Sequence, residues 1–442
     1  MKITLIFSLL LLITISSSAQ TINKEKLDNL FKILSENHQF MGSISVTHKG
    51  KQIYSNAIGH VDLENNIKAT AQTRYRIGSI SKMFTTVLTL KAAEQRKFSL
   101  EDPLSKWFPK VKNASKIKIK HLLNHRSGIY NFVAVPDYLD WNTKPKTRKE
   151  LLQLIESFEA EFEPDAKARY SNSNYVLLTF LLEDAYGTSY KVLIEKLTKK
   201  LQLKNTYLGE EISLDKKECY SYTYLGSWNK STETDMSVPL GAGAIISTSS
   251  DLNSFIRQLF SCKIINKKSL NLMKTIQEGY GSGLFEYSYG ETNKVSYGHT
   301  GGIDGFHSML AYLEEDDLSI AICANGIKSY TPGKIRLAVL HSFYQKDFEL
   351  PIFKKSTLST KDLDQYLGTY ATEEVPFKLI VTKEQVTLLV EIEGSGQPAI
   401  PLEEKESNVF EFRPAGLVLK FNPETSEVFM TQGGNKATLK KE

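Results

Sequence analysis

Tyr75-Arg76-Ile77-Gly78-Ser79-Ile80-Ser81-Lys82-Met83-Phe84 is the stretch on which the reading of this 442-residue chain turns. It holds a Ser-x-x-Lys, a weak signal alone, since Ser115/Lys118, Ser213/Lys216 and Ser227/Lys230 share the spacing. Context separates it from those. Ser79 follows a glycine and opens an apolar run with Met83, Phe84, Val87, Leu88 and Leu90, whose period predicts a helix from about Ser79 to Gln95. Positions i and i+3 share a helix face, so Lys82 can point at the Ser79 hydroxyl. The helix N-terminus adds a positive field where an anionic oxygen would form. The plainer reading makes Ser79 a cap and Lys82 a solvated charge. Against it, an apolar helix is a costly place for a free ammonium.

A serine hydroxyl needs a base to act as a nucleophile. Free lysine titrates near ~10.4, so service as a base near neutrality needs a shift of about 3 units, roughly 4 kcal/mol. Burial can supply it. Tyr170-Ser171-Asn172 lies in a polar loop before an apolar helix beginning near Tyr175. There the Tyr170 phenol could relay a proton, and the Asn172 amide could bind both Lys82 and a substrate amide. An ordinary helix-entry turn is the other reading. His299-Thr300-Gly301-Gly302 is the third candidate. Thr300, Gly301 and Gly302 would let a substrate backbone lie against a strand edge, their N–H groups would bind an oxyanion, and His299 would add a hydrogen bond. A glycine-rich hairpin with an incidental histidine fits equally well. His121 and His125 have the i, i+4 spacing of a zinc helix, but Leu122 stands where the glutamate belongs, so no metal is expected. No Gly-x-Ser-x-Gly elbow occurs.

Working outward, Ser43–Val46 and Gln52–Tyr54 alternate around Lys49-Gly50-Lys51 as a hairpin. Helical patterns follow at Lys118–Asn124, Lys149–Ala160, Tyr175–Tyr186, Tyr190–Leu201 and Ser249–Phe260. Strands return near Tyr297, at His307–Leu313 and at Leu318–Ala324, and Ile335–Phe343 is helical. Strands at both ends and helices between predict an α/β (α+β) fold: one antiparallel sheet flanked by helices, with a helical region inserted. Past a boundary near Pro351–Thr360 the pattern changes to short strands at Phe377–Thr382, Gln385–Ile392, Val409–Phe412, Leu417–Phe421 and Glu427–Thr431. The expected organisation is a leader at 1–19, a catalytic unit at 20–350, a linker at 351–360 and a small all-β, barrel-like domain at 361–442.

The leader rests on Met1-Lys2, an apolar run from Ile3 to Ile15 and small residues to Ala19. That run is well short of the ~20 residues a membrane helix needs. The mature chain is therefore expected to be exported, periplasmic or secreted, and to lack a transmembrane segment. The 41% hydrophobic and 24% charged content is that of a globular protein. A net charge of +5 with no basic stripe argues against nucleic acid. Three cysteines and no CxxC make neither a disulfide framework nor a zinc site.

Five stretches in this order resemble the serine β-lactamase and penicillin-binding-protein superfamily, in its branch of class C β-lactamases, DD-carboxypeptidases and esterases. They are 75–82, 121–128, Tyr170-Ser171-Asn172-Ser173-Asn174-Tyr175, 241–248 and 299–302. The likeness spans Lys24 to Gln345, and the region from Leu363 resembles the lipocalin-like β domain often appended to such proteins. It implies Ser79 as the acylated nucleophile, Lys82 and Tyr170 as its activators, and Asn172 as the holder of the substrate amide. It implies the N–H groups of Ser79 and Gly302 as the oxyanion hole. Class C β-lactamases carry Lys-Thr-Gly and usually Tyr-Ala-Asn. His-Thr-Gly with Tyr-Ser-Asn resembles the DD-carboxypeptidases, and a neutral His299 would bind a substrate carboxylate less strongly than lysine. The implied activity is acyl-enzyme hydrolysis, without a cofactor, of a peptidoglycan peptide or a small amide or ester. A class C-like β-lactamase or esterase and a slowly deacylating sensor are the alternatives. A separate expectation, of which the composition gives no positive sign, is that the β domain tethers the chain to cell-wall glycan or to a partner.

Overall fold

A computed structural model describes residues 22–290, 292–353, 358–393, 399–412 and 415–442. The expected leader lies outside these residues, as do residues 354–357 of the expected linker. The chain opens with an amphipathic helix, α1 (Lys24–Glu36), whose Leu27, Leu30, Phe31 and Leu34 form one buried stripe. The hairpin follows as β1 (Phe40–His48) and β2 (Lys51–Ile58). Next come α2 (Ser81–Glu94), α3 (Asn172–Tyr186) and α4 (Ser249–Phe260). Four strands, β3 (Phe285–Ser288), β4 (Val295–Ile303), β5 (Phe306–Leu313) and β6 (Leu318–Ile327), then lead to α5 (Pro332–Phe343).

The main sheet runs β3-β4-β5-β6-β1-β2, antiparallel along this path. β1 pairs with β6 in a register that sets Ile44 opposite Ile322 and Val46 opposite Ile320. The first and last strands of this unit thus share one sheet, as the ends-in pattern predicts. Nearly every residue of β6 is buried because both sheet faces are covered. Its side chains alternate. Leu318, Ile320, Ile322 and Ala324 pack with Leu30 and Phe31 of α1 and Val339 and Phe343 of α5. Ala321 and Cys323 face the opposite way, into a second core with Phe84 of α2 and Phe255 of α4. Those two rings stack at 3.9 Å. α2 is buried almost all round, which is why its lysine ends up inside.

Two expectations need correction, and α1 is an addition to them. The helix predicted from Ser79 begins at Ser81, and Gly78–Ile80 form a 3-10 turn ahead of it. Asn172 lies not in a loop but in the first turn of α3, whose polar start hides its helical period. α1 went unassigned, although its apolar spacing is helical.

The C-terminal part is a closed eight-stranded barrel from Gly368–Ala371 to Asn435–Lys441. Its interior is filled by side chains, among them Tyr370, Leu388, Phe410, Leu419, Phe421 and Val428. The sequence pattern predicts five of these strands. The missed ones, Gly368–Ala371, Ile400–Glu406 and Asn435–Lys441, are short or charged, and the last turns only Ala437 and Leu439 inward. Among the described residues no helix is long and apolar enough to cross a membrane.

Candidate active site

Ser79 sits on the 3-10 turn, with Gly78 before it at φ +51°, a left-handed conformation that costs a side-chain-bearing residue free energy. The turn packs directly on β4. A Cβ on Gly301 would stand 2.0 Å from the Ile77 carbonyl oxygen, so only glycine admits the approach. Gly302 follows, with open space where its side chain would be. Ser79 therefore lies beside the Thr300–Gly302 strand, more than 200 residues away in sequence.

Lys82 is fully buried. Its Nζ lies 3.0 Å from Ser79 Oγ, 2.8 Å from Asn172 Oδ1 and 2.7 Å from the Ala242 carbonyl oxygen. The Tyr170 hydroxyl lies 2.8 Å from Ser79 Oγ. Four of the sequence-predicted residues thus meet in direct hydrogen bonds. His299 stands one ring further off, its centroid 6.5 Å from that of Tyr170, packed on Phe285 at 4.5 Å.

Proton accounting sharpens the arrangement. The Asn172 and Ala242 oxygens can only accept. A neutral Lys82 amine gives its two hydrogens to them and turns its lone pair to Ser79. A charged Lys82 would donate to all three and could not act as a base, so removal of the Ser79 proton would then fall to an ionised Tyr170. Burial opposes that second state from both ends: it pushes the Lys82 ammonium well below its ordinary range and the Tyr170 phenol well above its own. Burial, then the nearby Lys82, also lowers His299 to about 3, despite a hydrogen bond to Thr300. His299 Nδ1 bonds the Thr300 carbonyl oxygen and so carries a hydrogen, and with its titration lowered to about 3 the ring is neutral near pH 7 and Nε2 is an acceptor.

Three supporting groups have roles that the sequence reading does not assign. The Ala242 carbonyl belongs to the Gly241-Ala242-Gly243 turn, which is stitched to α2 by the Thr85 hydroxyl on the Gly241 carbonyl at 2.7 Å. The glycines were a visible signal, and the role of the carbonyl was not. Asn131 Oδ1 accepts from the Asn172 backbone N–H at 2.9 Å and from its side-chain amide at 3.2 Å, fixing which oxygen faces Lys82. Nothing in its surroundings marks it. His125 stands 4.4 Å from the Tyr170 ring and accepts the Ser171 N–H at 3.2 Å. The zinc-like pair resolves here: His121 caps the Ile119–Leu123 helix, whereas His125 lies beyond it at φ +61°, under Tyr170. Among the described residues no group of three metal-ligating side chains gathers anywhere.

The chain has likenesses among known proteins. Residues 27–342 match the Beta-lactamase family. The chain is 26% identical over 410 residues to penicillin-binding protein 4* of Bacillus subtilis, covering 84% of this chain and 88% of that protein. It is 27% identical over 310 residues to a teichoic acid D-alanine hydrolase of Staphylococcus aureus, covering 68% and 74%. The octameric penicillin-binding protein homologue from Pyrococcus abyssi superposes with a TM-score of 0.65 at 22% identity, over 94% of this chain and 99% of that one. The last likeness speaks to the fold, including the barrel.

Proposed function

The chain belongs to the Beta-lactamase family, and on that premise we propose that it is an exported serine hydrolase acting through an acyl-enzyme on Ser79, with DD-carboxypeptidase-like peptide, amide or ester hydrolysis as its activity. The observation that carries this is the buried Lys82 Nζ, 3.0 Å from Ser79 Oγ and 2.8 and 2.7 Å from the carbonyl oxygens of Asn172 and Ala242. Ser79 Oγ attacks the substrate carbonyl carbon and its proton passes to Lys82. The carbonyl oxygen takes up negative charge facing the N–H groups of Ser79 and Gly302. Collapse breaks the bond to the leaving nitrogen or oxygen, which receives the Lys82 proton with the Tyr170 hydroxyl as relay. Water then attacks the Ser79 ester, giving one proton back through the same groups and freeing the acid. The side-chain N–H of Asn172 not used by Asn131 holds the acyl-side amide, and the Thr300–Gly302 strand holds the substrate backbone.

A D-alanyl or similar D-amino-acyl group suits the relatives, one a penicillin-binding protein and one a D-alanine hydrolase. His299 gives the site no fixed positive charge for a carboxylate, so strong β-lactam hydrolysis is not part of the reading. Export rests on the apolar run from Ile3 to Ile15 and the small residues after it.

Incubation with a fluorescent penicillin and with a fluorophosphonate, followed by peptide mass mapping, is expected to find the adduct on Ser79 and none in Ser79→Ala. No adduct from either reagent removes the reading. A panel of nitrocefin, a D-Ala-D-Ala peptide, a D-amino-acid amide and p-nitrophenyl esters then identifies the leaving group. Turnover separates an enzyme from a sensor that stays acylated.

A further inference from the structure

We infer that Arg76 and Asp304 form a positioning pair that sets the gap between the backbone N–H groups of Ser79 and Gly302, an inference that rests on the oxyanion role proposed for those groups. The two N–H groups sit on segments that share no backbone ladder. Tyr75 and Arg76 pair with Ser247 and Ile246, and the Ile77 N–H bonds the Ile245 carbonyl. β4 pairs with β3 and β5. Among the described residues no backbone hydrogen bond runs between 75–81 and 295–305.

What joins the segments is glycine packing and side chains. Glycine contact limits approach but does not oppose sliding, because dispersion has no direction. Direction comes from the Ser308 hydroxyl on the Ile77 carbonyl at 2.7 Å and from Arg76 Nη1 on Asp304 Oδ2 at 3.1 Å. Arg76 stands three residues before Ser79, and Asp304 two residues after Gly302, so the ion pair brackets both donors.

Each end of the pair is itself fixed. The Arg76 and Asp304 side chains are 2% and 5% exposed. Arg76 also donates to the carbonyls of Thr234 at 2.9 Å and Glu210 at 3.1 Å. Asp304 accepts the Thr234 hydroxyl at 2.6 Å and its N–H at 3.1 Å. Buried ion pairs add little net stability, since desolvation offsets the attraction. What this one supplies is geometry: a planar fork that a lysine cannot reproduce.

The test uses the full chain with Arg76→Lys and the isosteric Asp304→Asn, and Arg257→Lys in the remote Arg257–Asp317 pair as control. With a fluorescent penicillin or a p-nitrophenyl ester as probe, the acylation rate constant is expected to fall about 100-fold in both site variants, comparable to loss of an oxyanion donor. The preceding binding constant should stay within about threefold, and Arg257→Lys should match wild type. The Gly302 amide resonance in ¹⁵N-glycine-labelled protein, assigned by its loss in Gly302→Ala, should move in both site variants only. Thermal unfolding checks each fold, and Asp304→Asn keeps the question open to measurement where Arg76→Lys loses stability. Site variants that acylate like wild type, or an effect confined to binding, overturn the inference. A wild-type protein that never acylates overturns the functional reading instead, and the Gly302 resonance alone then decides the positioning role.

Discussion

Replacing Lys82 by Met keeps a similar buried volume and removes the amine, so the fold should survive while acylation falls by at least about 10³-fold, in the range of lost general-base catalysis. In the proposed mechanism the amine works in its neutral form. Acylation should therefore rise with pH through the depressed Lys82 titration and then level off. A rate that falls between pH 4 and 9 would count against Lys82 as the base. His299 bears on stability. Its folded value of about 3 lies below the ~6.5 of an exposed imidazole. The unfolded chain thus binds the proton first, and stability must rise with pH across that window. The contribution is whole above about 6.5 and declines toward 3 by up to about 1.4 kcal/mol per pH unit. Melting curves of wild type and His299→Asn between pH 7 and 4 should converge as pH falls. His125, lowered in the same direction by burial, would persist in the variant and leave a residual slope.

The decisive element contact is that between the Ser79 turn and β4. Gly301→Ala would set a methyl 2.0 Å from the Ile77 carbonyl oxygen, and something must shift. It should lower both the melting temperature and acylation, the latter by about 100-fold or more as the oxyanion donors separate. Gly302→Ala meets open space. Its melting temperature should stay near wild type while the new methyl intrudes on substrate, so the change should appear mainly as a raised KM. Equal melting losses in the two variants would mean the strand is held by something other than this glycine contact. α2 and α3 were legible because apolar runs bounded by Gly78 and by polar residues read as buried helices. Their first turns were not, because Gly78–Ile80 and Asn172 take their conformation from partners distant in sequence, β4 and Asn131.

At the scale of the molecule, we propose that residues 361–442 fold as their own domain. The barrel is closed, has its own core, and meets the rest through polar contacts such as Lys328–Glu403 at 3.1 Å and Gln385–Ser227 at 3.3 Å. A chain ending at Phe353 should then hydrolyse a p-nitrophenyl ester within about threefold of full length. Calorimetry of the full chain should show two transitions. A truncated chain that does not fold, or a single cooperative transition, would show that the barrel belongs to the catalytic unit. Wall pull-down of the two forms tests the expected cell-wall contact.

Residue types and local periods offered the candidate stretches around Ser79, Lys82, Tyr170, Asn172 and the His299–Gly302 strand, the family resemblance of five stretches in order singled them out, and the patterning gave the sheet built from both ends and a β-rich C-terminal part. Such features are written in nearest-neighbour chemistry: alternation, helical spacing, and glycines where a chain must turn or pass close. Only tertiary structure decided which oxygen faces Lys82, that Ala242 lends a carbonyl, that Asn131 orients the amide, and that Arg76 reaches Asp304 across 228 positions. Those are pairings of groups far apart in the chain, where one polar residue looks like any other until the fold removes water and fixes its partners.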